Sequence, residues 1–310
     1  MSSAPYHEAV SEPADPDLPH GVALAWGIAA NPQRGPKREL SIERIVEAAV
    51  ELADAGGLGA VSMSSVAATF GFTTMSLYRY VSAKDDLVLL MGEFGWGMPP
   101  ETVREADGWR AGLRVWSQEQ VAVFGRHPWL LDITISGTPT TPNSLAWLDA
   151  ALEVLDDQPL DSEEKLSIAL AVLAQTRWQG LIERGYREAA LSSGRSENAL
   201  DVDAAVTLKS LITAEHLPFV RRVLDDGAFE PGEDDPFAFG LERVLDGVER
   251  YIESRPADRV RPVFSTEDPR IAADAKVREA GKRLREIEKQ LREARKTERE
   301  ARAHARDRLR

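Results

Sequence analysis

Residues 61–87 read VSMSSVAATFGFTTMSLYRYVSAKDDL, and their apolar and small polar residues recur in two short helical patterns. Ser62 can cap the first short helix, Gly71 permits a sharp turn, and Thr73 can cap the second. Two short helices joined by a tight turn are typical of a helix-turn-helix, whose second helix enters the major groove of DNA. The pattern therefore predicts that this part of the chain binds DNA.

A longer amphipathic helix precedes this pair. Apolar residues recur at helical spacing over residues 42–53, behind Ser41 as an N-cap and before a left-handed stop at the glycine pair 56–57. A further helix opens at Lys84. These signals predict a three-helix helix-turn-helix domain over residues 41–93.

The charge of the chain is distributed unevenly. The formal net charge of −13 argues against nucleic acid, because lysine and arginine drive duplex binding by releasing counterions. From Gly56 to Lys84, however, 29 consecutive positions contain no acidic residue, although 51 of the 310 residues are acidic. This gap predicts a surface that can meet phosphate groups.

The second short helix is predicted to read base edges. Thr74, Met75 and Ser76 stand at its N-terminal end, where hydroxyl groups can bond to bases and a methionine can touch a thymine methyl. The helix N-termini near Ser62 and Lys84 would point backbone amides at phosphate oxygens. The complete set of predicted DNA contacts is Arg38, Ser62, Ser64, Thr73, Thr74, Met75, Ser76, Tyr78, Arg79, Tyr80 and Lys84.

After about residue 94 the chain consists of longer amphipathic segments. No strand-period alternation of useful length interrupts them, so the predicted fold class is all-α. Turn residues separate the segments at His127-Pro128, at 138–142, at Gly194 and at 231–236. The predicted helices cover roughly residues 107–125, 144–156, 162–188, 203–225 and 236–254.

Residues 1–40 are rich in proline and acidic groups and turn basic at Arg34, Lys37 and Arg38, which predicts a mobile extension that ends in a cationic arm. The apolar run 21–30 is too short to span a bilayer, and no signal peptide is found before it. The chain has no cysteine, which excludes disulfides and thiolate metal sites and fits a reducing compartment. We expect a cytoplasmic protein without a membrane association.

Residues 258–310 are predicted to be a linker and a charged tail. Residues 276–310 hold 14 basic and 7 acidic side chains, so this segment carries +7 while the rest of the chain carries −20. Apolar residues fall on a heptad from Val277 to Ala294, but they fill fewer than three heptads. A solvated charged helix or a disordered tail is therefore favoured over a weak coiled coil, and the positive charge can add sequence-independent DNA affinity.

The segment LYRYVSAKDDL, residues 77–87, resembles the helix-turn-helix of the TetR family of repressors, and VSMSSVAATFG and the preceding helix agree in order and spacing. The resemblance implies a homodimer that binds a palindromic DNA operator. It also implies that residues 94–257 form a larger helical domain that dimerises and binds a small-molecule effector, which releases the operator. The layout of this C-terminal part is similar to the tetracycline-repressor-like branch.

Tryptophans beyond residue 90 are candidates for a pocket that binds a flat ligand, although aromatic residues on helices are usually core. Three of them lie in the middle of predicted helices beside polar residues, and Gln175 and Arg177 could supply polar contacts. His127 precedes a proline at a helix break, which favours a capping or turn residue over a metal ligand, and it is also a pocket candidate. The predicted pocket residues are Trp116, His127, Trp147, Gln175, Arg177 and Trp178.

The segment 236–254 places its apolar residues on one stripe, which can pack into the core or against a twin helix of a second copy. The resemblance favours the twin helix, with 162–188 completing a four-helix dimer bundle. The stripe consists of Phe237, Leu241, Val244, Leu245, Val248 and Ile252.

An enzyme is disfavoured because the sequence has no phosphate loop, nucleotide fingerprint, nucleophile elbow or metal-spaced histidine pair. We accordingly predict no catalytic residue, no cofactor and no metal site. A helical interaction scaffold without operator binding is the other alternative, and it predicts that replacing Lys84 and Tyr78 together leaves function unchanged. The leading prediction is a DNA-binding transcriptional regulator, a repressor that a small molecule releases from its operator.

Overall fold

The computed structural model describes residues 18–28, 40–135, 137–232, 235–254 and 269–308. All regular secondary structure in these ranges is helical, which confirms the predicted all-α fold class. The chain divides into two compact units, Met1–Arg255 and Pro256–Arg310. Among the described helices, none is long and apolar enough to cross a bilayer.

The helix-turn-helix is formed by three helices that share one core. Ser41 accepts a hydrogen bond from the N–H of Arg44 at the start of the first of them, and Gly57 ends it with a φ of 73°, so the predicted cap and stop are confirmed. The helices are α2 (Ile42–Gly56), α3 (Met63–Thr69) and α4 (Thr74–Leu77). The side chains that close the core without any exposed surface are Ile45, Ala49, Val61, Val66, Leu77, Val81 and Leu87.

Helix α5 (Lys84–Trp96) leads from this domain into a larger helical body. Two close approaches hold that body together: a methyl at Gly112 would lie 2.6 Å from Val154, and one at Gly180 would lie 2.9 Å from Phe124. Glycine at both positions therefore lets neighbouring helices pack backbone to side chain. The body contains α6 (Gly108–Arg126), α7 (Pro142–Val154), α8 (Ser162–Ser193), α9 (Glu197–Leu211), α10 (Pro218–Asp225) and α11 (Pro236–Glu253).

The prediction of one helix over residues 203–225 is wrong, because α9 and α10 are separate helices. Pro218 occupies the first turn of α10, where its missing N–H costs nothing, but it could not continue a helix from α9. The guanidinium of Arg221 donates to the carbonyls of Lys209 (2.9 Å) and Ile212 (3.0 Å) and so satisfies the end of α9.

The apolar stripe of α11 faces the core of its own chain. Leu241, Leu245 and Val248 are at most 9% exposed, so the interpretation of these residues as a surface for a twin helix is wrong. The opposite face of α11 carries Phe239, which is 63% exposed and lies 4.9 Å below the guanidinium of Arg243. The helical periodicity predicts the stripe correctly, but it cannot distinguish packing against the core of the same chain from packing against a second copy.

Residues 18–28 are not a mobile extension. They include α1 (His20–Ala25), whose Gly21 N–H donates to Oδ1 of Asp86 over 3.0 Å. A methyl at position 21 would lie 2.7 Å from the same oxygen, so glycine allows α1 to approach α5. The indole N–H of Trp26 donates to the carbonyl of Thr140 over 2.8 Å, which ties α1 to the loop before α7 as well.

The second unit contains α12 (Pro269–Ala273) and α13 (Ala275–Arg308). The disordered alternative for the tail is therefore wrong over the described residues, and the helical alternative holds. Helix α13 has 34 residues, which at 1.5 Å per residue makes it roughly 50 Å long.

Candidate nucleic-acid interface

Helix α3 is held at its start by a reciprocal pair of hydroxyl bonds. The Ser62 Oγ accepts from the N–H of Ser65 over 2.9 Å, and the Ser65 Oγ accepts from the N–H of Ser62 over 2.8 Å. This capping box confirms Ser62 as an N-cap and engages its hydroxyl within the protein. Ser64 is exposed next to it and shares a hydrogen bond of 2.9 Å with the Ser62 Oγ, so a second hydroxyl lies on the surface of the same helix end.

The turn between α3 and α4 follows the predicted geometry. Gly71 has a φ of 69°, a conformation that residues with a Cβ rarely adopt. The predicted side-chain cap at Thr73 is wrong: its hydroxyl lies 3.4 Å from that of Ser76, while its carbonyl accepts the Ser76 N–H over 2.9 Å. The Thr73 hydroxyl therefore stays on the exposed surface, where it can bond outward.

Helix α4 has one buried side and one side that is exposed to solvent. Leu77 and the following Val81 have no exposed surface, and their burial fixes the orientation of the helix. Met75 on the opposite side is 70% exposed, which is unusual for a large apolar side chain. Thr74 and Ser76 flank it as half-buried hydroxyl residues. The arrangement can offer one apolar group and two hydroxyls to a groove of DNA.

Exposed side chains continue from α4 to the start of α5. Tyr78 is 46% exposed, Arg79 and Lys84 are exposed, and Tyr80 is half-buried against the core. Helix α5 begins after Ala83, which has no side chain that could cap it. Its first backbone amides can therefore donate to a phosphate oxygen. Arg38, the remaining predicted contact, lies outside the described residues.

A carboxylate that the sequence analysis missed joins the helix-turn-helix to the body. Oδ1 of Asp54, in the last turns of α2, accepts from the indole N–H of Trp129 over 2.7 Å and from Nδ1 of His127 over 2.9 Å. His127 and Trp129 follow the end of α6. These partners are more than 70 residues apart in the chain, so no local pattern could have revealed them.

The six predicted pocket residues do not converge on one cavity. Trp116 and Trp147 are core residues, since their indole N–H groups donate to the carbonyls of Trp147 (2.7 Å) and Gly97 (3.0 Å). The guanidinium of Arg177 donates to the carbonyl of Leu131 over 2.6 Å. The rest are spread out: Gln175 faces α11, Trp178 is 57% exposed, and His127 bonds to Asp54.

A cavity of about 170 Å³ lies between α6, α8 and α11. Drug-sized ligands need roughly 300–1,000 Å³, so this cavity is too small for one without rearrangement. Its polar wall includes Glu242, which bridges Arg110 and Arg114. Hydrogen bonds from Arg114, and to a smaller extent Arg110, lower the pKa of Glu242 to about 2. None of the six predicted pocket residues lines this cavity.

Helix α6 also carries a buried amide, Gln120, that no pattern in the sequence indicated. It is 1% exposed, and its amide nitrogen donates to the carbonyl of Trp116 over 3.2 Å. Among the described residues, no donor reaches its amide oxygen. One helical turn on, Phe124 packs edge-on against Trp96 with ring centroids 5.3 Å apart. Gln120 thus places an unused acceptor inside an aromatic core.

Known proteins share both parts of this arrangement. The family described as bacterial regulatory proteins, tetR family, matches residues 45–91, and the tetracyclin repressor-like C-terminal domain matches residues 102–252. The HTH-type transcriptional repressor DrrR1 of Streptomyces coeruleorubidus is 32% identical over 241 residues, which are 77% of this chain and 88% of that repressor. An HTH-type transcriptional regulator of Saccharopolyspora erythraea is 28% identical over 175 residues, or 54% of this chain and 74% of its own length.

Solved structures agree on the fold. The crystal structure of ActR from Streptomyces coelicolor in complex with actinorhodin superposes with a TM-score of 0.56 at 21% identity, over 71% of this chain and all of that one. The two family matches, residues 45–91 and 102–252, coincide with the helix-turn-helix and with the helical body. The chain belongs to the TetR family and is a DNA-binding transcriptional regulator.

Proposed function

We propose that the chain is a repressor that binds a palindromic operator as a homodimer and leaves it when a small molecule enters the helical body. The presented side of α4 carries the first part of this proposal, because Met75 is 70% exposed between hydroxyl residues in a segment without acidic groups. DrrR1, a relative at 32% identity, is a repressor by name, which supports this sign of regulation. The proposed function is regulation by binding and includes no catalysed reaction.

The operator is tested by selecting bound duplexes from a random DNA pool. We expect an inverted repeat, because a two-fold dimer presents two copies of α4 to two half-sites. Lys84→Ala should weaken binding to all selected sequences, while Met75→Ala should relax the preference at one base position per half-site. Arg222→Ala removes one exposed charge from α10 in the body and serves as the matched control. Recovery of no shared motif would contradict the proposal.

Exposed residues of α8 and α11 support the dimer. The two helices run antiparallel, since Tyr251 donates to Glu164 over 2.6 Å while Gln175 reaches the carbonyl of Phe237. Their outer faces expose the apolar residues Leu170 (53%), Trp178 (57%) and Phe239 (63%). A second copy would bury these residues in a four-helix bundle.

The dimer is tested by light scattering during size-exclusion chromatography. We expect a dimer for the unmodified chain and a monomer for Trp178→Glu with Phe239→Glu. Phe219→Glu replaces a residue of α10 that is 73% exposed and lies off these faces, so it should remain a dimer. A monomeric unmodified chain at micromolar concentration would refute this part.

We propose that the effector opens the aromatic core beside Gln120. The amide oxygen of Gln120 is reached by no donor in the part of the chain that the structure describes, which is costly in a residue that is 1% exposed, and a ligand that donates a hydrogen bond would relieve this cost. Trp116 and Trp147 would then flank a flat ligand. Because a protein of the same fold binds actinorhodin, that compound is a first probe.

Quenching of tryptophan fluorescence and release of the selected operator by actinorhodin measure this site. Gln120→Leu should bind the operator like the unmodified chain but resist release, whereas Gln118→Leu, on the small polar cavity, should not. Equal release from both variants would contradict the assignment of Gln120.

A further inference from the structure

Helix α13 contains a seven-residue repeat that extends to its charged positions. Residues 277–297 read VREAGKR, LREIEKQ and LREARKT, with arginine second, glutamate third and lysine sixth in each heptad. A straight isolated helix drifts by about 20° per heptad against such a repeat, so it does not keep these positions on fixed faces. A left-handed coiled coil does keep them fixed, because supercoiling holds one seam against the partner helix.

The seam of the repeat is apolar and uncovered. Val277, Leu284 and Leu291 occupy the first position of each heptad, and Ile287 occupies the fourth position of the second. These four side chains are 45–60% exposed, so no described part of the chain covers them. Alanines 280 and 294 complete the seam with small side chains that permit close approach.

We propose that α13 pairs with the same helix of a second copy in a parallel, in-register coiled coil over residues 277–297. The flanking charges select this occupant and orientation. In a parallel pair, Arg283 lies beside Glu288 of the other copy, and symmetry forms the contact twice. In an antiparallel pair with the same seam, Arg283 faces Gln290 and Glu288 faces Gly281, so neither contact forms.

Three heptads form only a weak coiled coil between separate helices, but here the dimer of the body would hold the two helices close to each other. This step rests on the dimer of the proposed function, which would hold the two tails at an effective concentration on the order of millimolar. The family match ends at residue 252, so the tail contact adds to the shared domains rather than belonging to them. The arginine and lysine of each heptad stay on the outer faces of the pair.

Single cysteines test the contact in the 310-residue chain, which has none of its own. Ala280→Cys and Ala294→Cys lie in the seam, and Lys282→Cys and Lys296→Cys lie on the outer face as matched controls. Under mild oxidation we expect each seam variant to form disulfide-linked dimers by itself while the outer variants stay at background. Linkage at or below the outer variants would overturn the proposal. Linkage only in a mixture of the two seam variants would overturn the parallel orientation.

Light scattering of the reduced variants separates this proposal from the body dimer. A reduced chain that is dimeric but shows no seam linkage would overturn the coiled coil alone, whereas a reduced chain that is monomeric would refute the body dimer and with it the tether on which the coiled coil depends. Arg283→Glu in the Ala294→Cys background should slow the formation of the disulfide roughly fivefold. The reason is that the two symmetric pairs of residues 283 and 288 then repel each other instead of attracting. Adding Glu288→Arg should restore the rate, and failure of this rescue would overturn the assigned orientation.

Discussion

Replacing Asp54 by alanine should destabilise the chain measurably, because one oxygen of its carboxylate accepts hydrogen bonds from both His127 and Trp129 of the body. The indole N–H of Trp129 would lose its acceptor in a residue that is only 1% exposed, which costs about 1–3 kcal/mol. His127 has a 19% exposed side chain and can partly rehydrate, so it adds less. We expect a loss of about 2–3 kcal/mol in the free energy of unfolding.

Equilibrium unfolding in urea at fixed protein concentration measures this loss. Asp54→Asn should lose only about 1 kcal/mol, since its amide oxygen can still accept both bonds. Glu51→Ala removes an exposed carboxylate from the same helix and should stay within about 0.5 kcal/mol of the unmodified chain. An unchanged Asp54→Ala variant, or an Asp54→Asn variant equally unstable, would refute the reasoning. The same carboxylate connects the helix-turn-helix to the body. We therefore expect Asp54→Ala to release its operator less completely when the effector binds.

Three further outcomes are expected. Gly21→Ala should cost about 1–3 kcal/mol by pushing α1 from Asp86, whereas Gly59→Ala meets no atom within 4 Å and should not; equal thermal stability of the two variants would contradict this. The depressed pKa of Glu242 means that its ion pairs stabilise the fold fully above pH 4.5 and are lost as the pH falls towards about 2. Glu242→Gln should therefore show a flatter decline of the urea midpoint in that range, and parallel curves would exclude the effect. Removing residues 276–310 should weaken binding to random duplex DNA and reduce its salt dependence, which a titration at several salt concentrations checks.

Local signals in the sequence were sufficient to predict the helices and turns of the helix-turn-helix. Ser41, Gly57 and Gly71 act through their own backbone conformation or a neighbour three residues away, so the sequence predicts them directly. Thr73 shows the limit of such signals, because its hydroxyl lies beside that of Ser76 and accepts from no backbone N–H of the helix, although its residue type suits a cap.

Contacts between distant segments could not be predicted in this way. Asp54 and His127 are 73 residues apart, and nothing near either position indicates the other. The docking of Gly21 on Asp86 was hidden for the same reason, since composition alone suggested a mobile arm. Gln120 was overlooked because only its three-dimensional surroundings make its free oxygen unusual.

Helix α1 changes how this protein can be recombined with its relatives. Its first turn is hydrogen-bonded to Asp86, which lies in residues 1–93 together with the helix-turn-helix. The residue after its last turn, Trp26, is hydrogen-bonded to Thr140, which lies in the body. A hybrid that joins residues 1–93 to the body of another regulator would keep the first bond, but it would keep the bond of Trp26 only where the loop before α7 places a backbone carbonyl as Thr140 does. We therefore expect an exchange of DNA specificity between such proteins to preserve stability best when the loop before α7 is transplanted together with the helix-turn-helix.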